Sequence, residues 1–226
     1  MDFSFTEDQN SIRDLVKQVL TAIVNDDSLK ALSRDGVWFH ERAWAQLAAS
    51  EMLGLAIPEE HGGAGMGLTE LCLLLQQVGR SVAPIPAIET LVSAALPLAE
   101  FGTAEQKDRF LGGIAQGRVI MTPALVDLGS RDPFKPSAVA KADGDGWRVT
   151  GRFSNVAYAD LADRIVVPAR AEATVAPSSS NNHRGCPLVP RCSPRRTPSL
   201  LGSSRSTSVA PPSVRAGTTM RSARSA

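Results

Sequence analysis

Aromatic side chains are missing from the last quarter of this 226-residue chain. The last of them is Tyr158, and residues 171–226 also contain no lysine and a single acidic residue, Glu172. This segment has 8 arginines, whereas residues 1–170 have 16 basic and 22 acidic side chains. Aromatic rings supply much of the area that a core buries, so we expect residues 171–226, rich in Ser, Arg and Pro, to be disordered.

Long apolar runs and cysteines are scarce as well. No run approaches the roughly 20 apolar residues of a membrane-spanning helix, and the acidic start MDFSFTEDQN lacks the basic-then-apolar order of a secretory signal. The three cysteines, Cys72, Cys186 and Cys192, make no disulfide framework. We therefore expect a cytoplasmic protein with no membrane partner.

The first 117 residues have the patterns of helices. Thr6 with Gln9, and Thr103 with Gln106, have the spacing of a capping box at a helix start. A shorter pattern, residues 41–53, is also helical. After Thr6, apolar residues at helical spacing predict one buried face: Ile12, Leu15, Val16, Val19, Leu20, Ile23 and Val24.

Two further segments complete the helical region. LTELCLLLQQVGR, residues 68–80, is apolar almost all round, which predicts a buried helix with Cys72 as a small core residue. Pro86 fits the first turn of the next helix. We therefore predict an all-α domain over residues 1–117.

Residues 118–170 have the texture of short strands. RVIMT, SAVAKA, WRVTGRF and RIVVPAR are rich in β-branched residues and are separated by Pro, Gly and Asp clusters. The DGDG at 143–146 predicts a hairpin turn, because glycine accepts positive φ. The predicted fold class is α+β: the helical domain, then a truncated antiparallel β-barrel-like domain at 118–170, then the disordered tail at 171–226.

Two clusters of reactive side chains have simpler interpretations than chemistry. Glu59, Glu60 and a lone His61 lie in the glycine-rich PEEHGGAGMG, residues 58–67. The glycines predict a sharp turn, so we interpret the three side chains as structural and not as an acid–base pair or ligand. The segment also lacks the Lys-Ser/Thr of a phosphate-binding loop. His183, Cys186 and Cys192 have loose metal-ligand spacing, but a tetrahedral zinc site needs a fourth ligand and a framework. We predict no metal site.

Four stretches in this order resemble the acyl-CoA dehydrogenase family: FSFTEDQNSIRDLVKQVL, LGLAIPEEHGGAGMGLTELCLLLQQVGRSVAPIP, FGTAEQKDRFLGGIAQG and DGDGWRVTGRFSNVAYADLADRIVVPAR. They lie within about residues 1–170. The resemblance implies an N-terminal helical domain, a middle β-barrel and a C-terminal four-helix bundle. It also implies FAD as cofactor and the α,β-dehydrogenation of a fatty or steroid acyl-CoA, in which a carboxylate base removes the α-proton and the Cβ hydride goes to the flavin.

The resemblance further implies two flavin loops. The first is MTPALVDLGSRD, residues 121–132, which retains Thr, Pro, Gly and Ser of the family pattern but not its Glu-Pro pair or spacing. The second corresponds to residues 155–157, where the family's aromatic ring and hydroxyl are replaced by Asn, Val and Ala. Retention of FAD is therefore left open. The candidate cofactor-binding residues are Met121, Thr122, Gly129, Ser130, Val156 and Ala157.

The β segment ends at about half its expected length, and nothing in residues 171–226 matches the four-helix bundle. We therefore assign no catalytic residue and expect the chain to be inactive on its own. One alternative is a non-catalytic subunit that pairs with a complete homologue. Another is a nucleic-acid arm, although the arginine-rich tail lacks aromatic residues for base stacking. A frameshift in a GC-rich gene is our preferred origin for the tail, because Ser, Arg, Ala, Pro, Thr and Gly dominate it.

Overall fold

The computed structural model describes residues 4–143 and 146–172, together with the backbone of two later strands, Leu188–Pro190 and Val214–Thr218. The chain divides into two compact units, Met1–Met121 and Thr122–Ala226. The first is helical, and the second consists of short strands. The described residues thus have the predicted order of helices followed by strands.

The helical unit is built from short and medium-length helices. Two 3₁₀ turns, Met52–Gly54 and Glu59–His61, follow the third helix. A π-helical segment, Ile88–Ala95, leads directly into the fifth helix, Leu96–Phe101. The helix predicted to begin near Pro86 is confirmed, but its π-helical first part is not predicted by the sequence pattern. The described α-helices are α1 (Glu7–Ile23), α2 (Asp26–Asp35), α3 (Glu41–Ala49), α4 (Leu68–Arg80), α5 (Leu96–Phe101) and α6 (Ala104–Ala115).

Both predicted capping boxes are confirmed. The Thr6 hydroxyl accepts from the backbone N–H of Gln9 at 3.2 Å, and the Gln9 side chain accepts from the N–H of Thr6 at 3.1 Å. Thr103 and Gln106 make the same reciprocal pair at the start of α6. Each box satisfies two N–H groups that have no partner within the helix, which explains where these helices begin.

The first unit has a leucine-rich core, whose largest fully buried apolar side chains include Leu20, Leu47, Leu53, Leu55, Leu71, Leu74, Leu111 and Ile114. The predicted apolar face of α1 is confirmed at Ile12, Val16 and Leu20, but Leu15 is 40% exposed. The prediction that Cys72 is a core residue is wrong: its side of α4 faces solvent, and the thiol is free and exposed. α4 is therefore amphipathic and not buried all round.

The described strands lie in the second unit, except for Met121 at the start of the first strand, and form two sheets. The first has the order β1 (Met121–Pro123), β5 (Arg164–Val166), β7 (Leu188–Pro190). The second has the order β2 (Val126–Asp127), β4 (Gly146–Ser154), β3 (Val139–Asp143), β6 (Arg170–Ala171), and β8 (Val214–Thr218) also pairs with β4. The hairpin predicted at 143–146 is confirmed, since β3 and β4 are antiparallel and Asp143 lies opposite Gly146.

The β-barrel expectation needs refinement. β6 runs parallel to β3, with Val139 opposite Arg170, so the larger sheet is mixed and not purely antiparallel. The described strands form two open sheets and no closed barrel. A small apolar core lies in this unit and consists of Ala124, Ala138, Ala140, Val149, Phe153, Ile165 and Val167.

Two short parts of the predicted tail have strand backbone: β7 pairs with β5, and β8 pairs with β4. Most of residues 171–226 lies outside the described part of the chain, so the disorder, the frameshift and the nucleic-acid arm stay predictions. Within the described residues, no helix combines the length and apolar character needed to span a membrane.

Candidate functional site

The two predicted flavin loops meet at a hydrogen bond between Thr122 and Ala157. Thr122 lies in β1 and is fully buried, and its Oγ1 donates to the backbone carbonyl of Ala157 at 2.6 Å. β1 and the turn after β4 are therefore neighbours, although 35 positions separate them in sequence. The structure brings together one candidate residue from each loop.

The rest of the first loop runs beside the end of β4. Val126 lies opposite Ser154 in the antiparallel pairing of β2 with β4, and the N–H of Leu128 donates to the carbonyl of Arg152 at 3.0 Å. Gly129 and Ser130 follow directly and are exposed and partly buried, respectively. The first loop therefore passes the strand that leads into residues 155–157.

The carboxylate of Asp127 holds this loop closed. Its Oδ1 accepts from the N–H of Gly129 at 2.8 Å and from the hydroxyl of Ser137 at 2.6 Å, and its Oδ2 accepts from the N–H of Ser137 at 2.6 Å. Burial alone would raise the pKa of Asp127, but hydrogen bonds from Ser137, Gly129 and Ala138 outweigh it and hold that pKa below the usual value of an aspartate. The group is therefore a charged carboxylate at neutral pH.

Ser130 is also paired within the loop. Its hydroxyl donates to the carbonyl of Asp132 and accepts from the N–H of the same residue, both at 3.2 Å. The Asp132 carboxylate in turn accepts from the N–H of Phe134 at 3.0 Å. The hydroxyl that the family resemblance directs towards a ligand is thus part of a local turn.

The second loop is a strained turn. Asn155 and Tyr158 have φ values of 53° and 52°, in the left-handed region that non-glycine residues seldom adopt. Between them, Val156 packs against the apolar core of its unit, and the carbonyl of Ala157 accepts from Thr122. Asparagine tolerates this conformation better than tyrosine does, so we place most of the strain at Tyr158.

Met121, the first candidate residue, is fixed by a side chain that the sequence does not single out. The fully buried Thr90, on the π-helical segment, donates from Oγ1 to the carbonyl of Met121 at 2.8 Å. The N–H of Met121 lies 3.3 Å from the same oxygen. Both backbone groups of Met121 therefore meet one hydroxyl.

These contacts decide how well the candidate residues fit FAD. The family resemblance calls for free N–H and hydroxyl groups directed at the flavin and its thioester substrate. Here the hydroxyls of Thr122 and Ser130 and the N–H groups of Met121 and Gly129 are bonded within the protein, and Val156 contributes to the core. Thr122 and Ala157 are therefore adjacent, and the hydroxyl and N–H groups named here are used within the protein and are not free to bind a flavin.

Asp127, Ser137 and Thr90 are the residues of this region that the sequence analysis misses. Asp127 had a detectable signal, because an Asp two positions before a Gly is typical of a turn in which the carboxylate binds a backbone N–H. The hydrogen bonds from Ser137 to Asp127 and from Thr90 to Met121 join residues 10 and 31 positions apart, and no local pattern predicts them.

A groove of about 920 Å³ lies in the helical unit, between α3, the glycine-rich turn and the end of α6. Small residues form most of its walls, together with Trp44 and the acidic Glu41 and Glu51. The indole N–H of Trp44 donates to the carbonyl of Gly117 at 2.9 Å and fixes one edge. No candidate cofactor residue lines this groove.

The glycine-rich segment forms the predicted turn. Gly62 has φ 80°, and a Cβ at Gly63 would overlap the backbone of Ile57. The largely buried His61 places Nδ1 3.3 Å from an Asp108 oxygen and Nε2 3.4 Å from a Glu60 oxygen. His61 therefore connects the turn to α6, which agrees with a structural role.

Metal-ligating side chains do not cluster in the part of the chain that the structure describes. The predicted absence of a metal site also concerns His183, Cys186 and Cys192, which lie outside the described residues. That prediction stays untested at these three positions.

The sequence of this chain is similar to those of known proteins. The family model described as "Acyl-CoA dehydrogenase, N-terminal domain" matches residues 6–118. Acyl-CoA dehydrogenase FadE28 of Mycobacterium tuberculosis is 35% identical over 180 residues, which is 79% of this chain and 46% of that protein.

Solved structures that resemble this chain belong to the same kind of protein as the family model and FadE28. A variant of the Tcur3481-Tcur3483 steroid ACAD is 40% identical with a TM-score of 0.66, covering 73% of this chain and 45% of that one. A chain of the ChsE4-ChsE5 complex from Mycobacterium tuberculosis is 30% identical with a TM-score of 0.69, covering 76% and 46%. This chain spans about half the length of the relatives that it matches.

Proposed function

Because the chain belongs to the acyl-CoA dehydrogenase family, we propose that it is one subunit of a dehydrogenase assembled from two different chains. The proposed assembly carries out the flavin-dependent α,β-dehydrogenation of an acyl-CoA thioester. The chain by itself has no such activity.

The observation that carries the proposal is the kind of relative that the chain resembles. Two solved structures, at 40% and 30% identity, are described by two protein names each: Tcur3481 with Tcur3483, and ChsE4 with ChsE5. At these levels of identity the likeness extends beyond the fold. It supports an assembly in which this chain pairs with a homologous acyl-CoA dehydrogenase chain.

The hydrogen bonds of the candidate site support a subunit that does not act alone. Thr122, Gly129 and Ser130 direct their donors to Ala157, Asp127 and Asp132 and not outward. A cofactor would have to displace several of these bonds before it met the same groups, and each bond contributes about 1 kcal/mol, more where the acceptor is charged.

For the substrate, we propose a bulky steroid-type acyl group. The neighbour at 40% identity is described as a steroid enzyme, and the matched region covers most of the described residues of this chain. A straight-chain acyl-CoA is the competing class, and the same assay separates the two.

The test is to co-express the chain with Tcur3481 and, separately, with Tcur3483, each serving as a surrogate partner. We expect a complex with one of them by size-exclusion chromatography. We also expect its flavin absorbance to bleach when a steroid acyl-CoA is added anaerobically. The chain alone and each surrogate alone are the controls. Bleaching by the isolated chain would contradict the subunit role, and a complex reduced only by straight-chain thioesters would reject the steroid class.

A further inference from the structure

The groove beside α3 is a concave site separate from the candidate flavin segments. Its volume of about 920 Å³ lies in the range of pockets that hold small molecules. Ala45, Ala48 and Ala49 line the groove and, at this spacing, share one side of α3. Short side chains on this side leave room for a slender molecule that lies along the helix.

A carboxylate lies towards each end of α3. Glu41 is the first residue of the helix and Glu51 follows its C-terminus; both are exposed and line the groove. Ten residue steps at a rise of 1.5 Å separate the two residues by about 15 Å along the helix axis. Among the described residues, no basic side chain forms an ion pair with either of them. The groove therefore offers two separate negative charges to a ligand.

Glu51 is a poor residue for the stability of its own position. Its φ of 61° lies in the left-handed region, which glycine and asparagine adopt more readily than glutamate. Its negative charge also lies just beyond the C-terminus of α3, at the negative end of the helix dipole. Two unfavourable features at the rim of a groove indicate a role in binding and not in stability.

The walls of the groove are fixed without a ligand. The indole N–H of Trp44 donates to the carbonyl of Gly117 at 2.9 Å, and the N–H of Ala64 donates to the carbonyl of Gly54 at 3.0 Å. A Cβ at Gly117 would lie 2.7 Å from that of Ala48, so the chain approaches α3 closely there. A ligand thus meets a formed site, and little binding energy is lost in ordering the walls.

We propose that the groove binds a linear organic dication, a small molecule with an ammonium group at each end of an apolar chain. One ammonium group meets the carboxylate of Glu41 and the other meets that of Glu51. The chain between them covers the alanine side of α3. This site goes beyond the dehydrogenase function proposed above and does not depend on it.

The competing explanation is that Glu41 only stabilises the first turn of α3, as acidic residues do at helix N-termini. Glu105 provides the matched control, because it is exposed and lies in the first turn of α6 but does not line the groove. A purely local role predicts the same result for Glu41→Gln and Glu105→Gln. A ligand site predicts that only Glu41→Gln weakens binding.

The experiment titrates the full chain with α,ω-diaminododecane, whose ammonium groups are far enough apart to reach both carboxylates. The shorter α,ω-diaminobutane has the same charge but reaches only one of them. Binding is followed by NMR at the amides of Gly62, Gly63 and Ala64 and at the indole N–H of Trp44, which all belong to groove-lining residues. Urea unfolding and hydrogen exchange of that indole N–H report whether each variant keeps its fold and its groove.

We expect the long diamine to shift the groove signals saturably and to bind about fivefold more tightly than the short one, since this is the most that one further exposed ion pair contributes. Glu41→Gln and Glu51→Gln should each weaken binding of the long diamine by about the same factor, and Glu105→Gln should not. Glu51→Asn should unfold at a higher urea concentration than the wild type, because asparagine tolerates the left-handed backbone, and should still bind the long diamine more weakly.

No saturable shift in the wild type would overturn the proposal, as would equal affinity for the two diamines, because one carboxylate would then suffice. Equal weakening by Glu41→Gln and Glu105→Gln would show a general charge effect and reject the site. The last probe is an extended peptide with two lysines four positions apart, about 13 Å. Tighter binding of this peptide than of the long diamine would reject a small molecule as the ligand.

Discussion

The hydroxyl of Thr122 and the carbonyl of Ala157 are joined by a 2.6 Å hydrogen bond, and this contact connects the two segments that the family resemblance assigns to the flavin. Thr122 is fully buried, whereas Ala157 is exposed. The bond therefore holds an exposed, strained turn against a buried strand. An intramolecular hydrogen bond makes the two segments adjacent, and no ligand is needed to bring Thr122 and Ala157 together.

Replacing Thr122 with valine should destabilise the strand unit by about 1 kcal/mol. Valine keeps the branched shape but removes the donor to Ala157, and a typical hydrogen bond of this kind contributes about that amount. The free energy of unfolding in urea measures the effect. Thr122→Ser keeps the hydroxyl and serves as the control; equal losses in both variants would assign the effect to packing.

Gly117→Ala should destabilise the helical unit more than Gly36→Ala does. Both glycines are left-handed, with φ values of 68° and 66°, so the backbone cost of a Cβ is shared. At Gly117 the new Cβ would lie 2.7 Å from the Cβ of Ala48, whereas at Gly36 no atom lies within 4 Å. Overpacking of this kind adds about 1–3 kcal/mol, measured as the difference between the two variants in urea unfolding. Equal values would show that α6 shifts to accommodate the methyl group.

The stability of the helical unit should depend on the ionisation of Glu70. Its pKa is lowered, chiefly by the hydrogen bond from the Gln9 side chain at 2.8 Å, which joins α1 to α4. Because the folded pKa lies below the unfolded one, the stabilisation is present above about pH 4.3 and is lost as the pH falls through the lowered folded value.

The measurement for Glu70 is the unfolding free energy of the wild type and of Glu70→Gln at neutral and at acidic pH. Glutamine keeps an acceptor for Gln9 but carries no charge. We expect the wild type to be the more stable at pH 7 and the two to converge in acid. Glu100→Gln, at an exposed position in α5, controls for general charge effects. A gap that persists in acid would contradict the prediction.

Local chemistry explains which parts of the fold the sequence predicts. Residues within four positions of one another form each of the features that the sequence predicts correctly. These are the capping boxes at Thr6 and Thr103 and the hairpin at 143–146. The parallel pairing of β6 with β3 joins residues about 30 positions apart, and nothing local specifies its direction. Cys72 was placed wrongly because an almost uniformly apolar helix does not reveal which side faces solvent.

The candidate site, too, could be predicted only in part from the sequence. The family resemblance identifies both loops, and the structure places Thr122 beside Ala157. The family resemblance does not reveal that the Asp127 carboxylate accepts hydrogen bonds from Gly129 and Ser137, because these bonds depend on how a ten-residue loop closes. Nor does the resemblance reveal the π-helical segment or the hydrogen bond from its Thr90 to Met121.

Replacing Thr90 with valine should therefore be among the costlier single changes in the helical unit. Thr90 is fully buried, and its hydroxyl meets both the carbonyl and the N–H of Met121, so valine preserves volume while removing a polar partner from two backbone groups. Leaving such groups poorly paired costs about 1–3 kcal/mol. Thr90→Ser retains the hydroxyl and should recover most of the loss in urea unfolding. Hydrogen exchange of the Met121 amide should accelerate in the valine variant and not in the serine variant. Unchanged exchange in both variants would show that the Thr90 hydroxyl does not protect the Met121 amide.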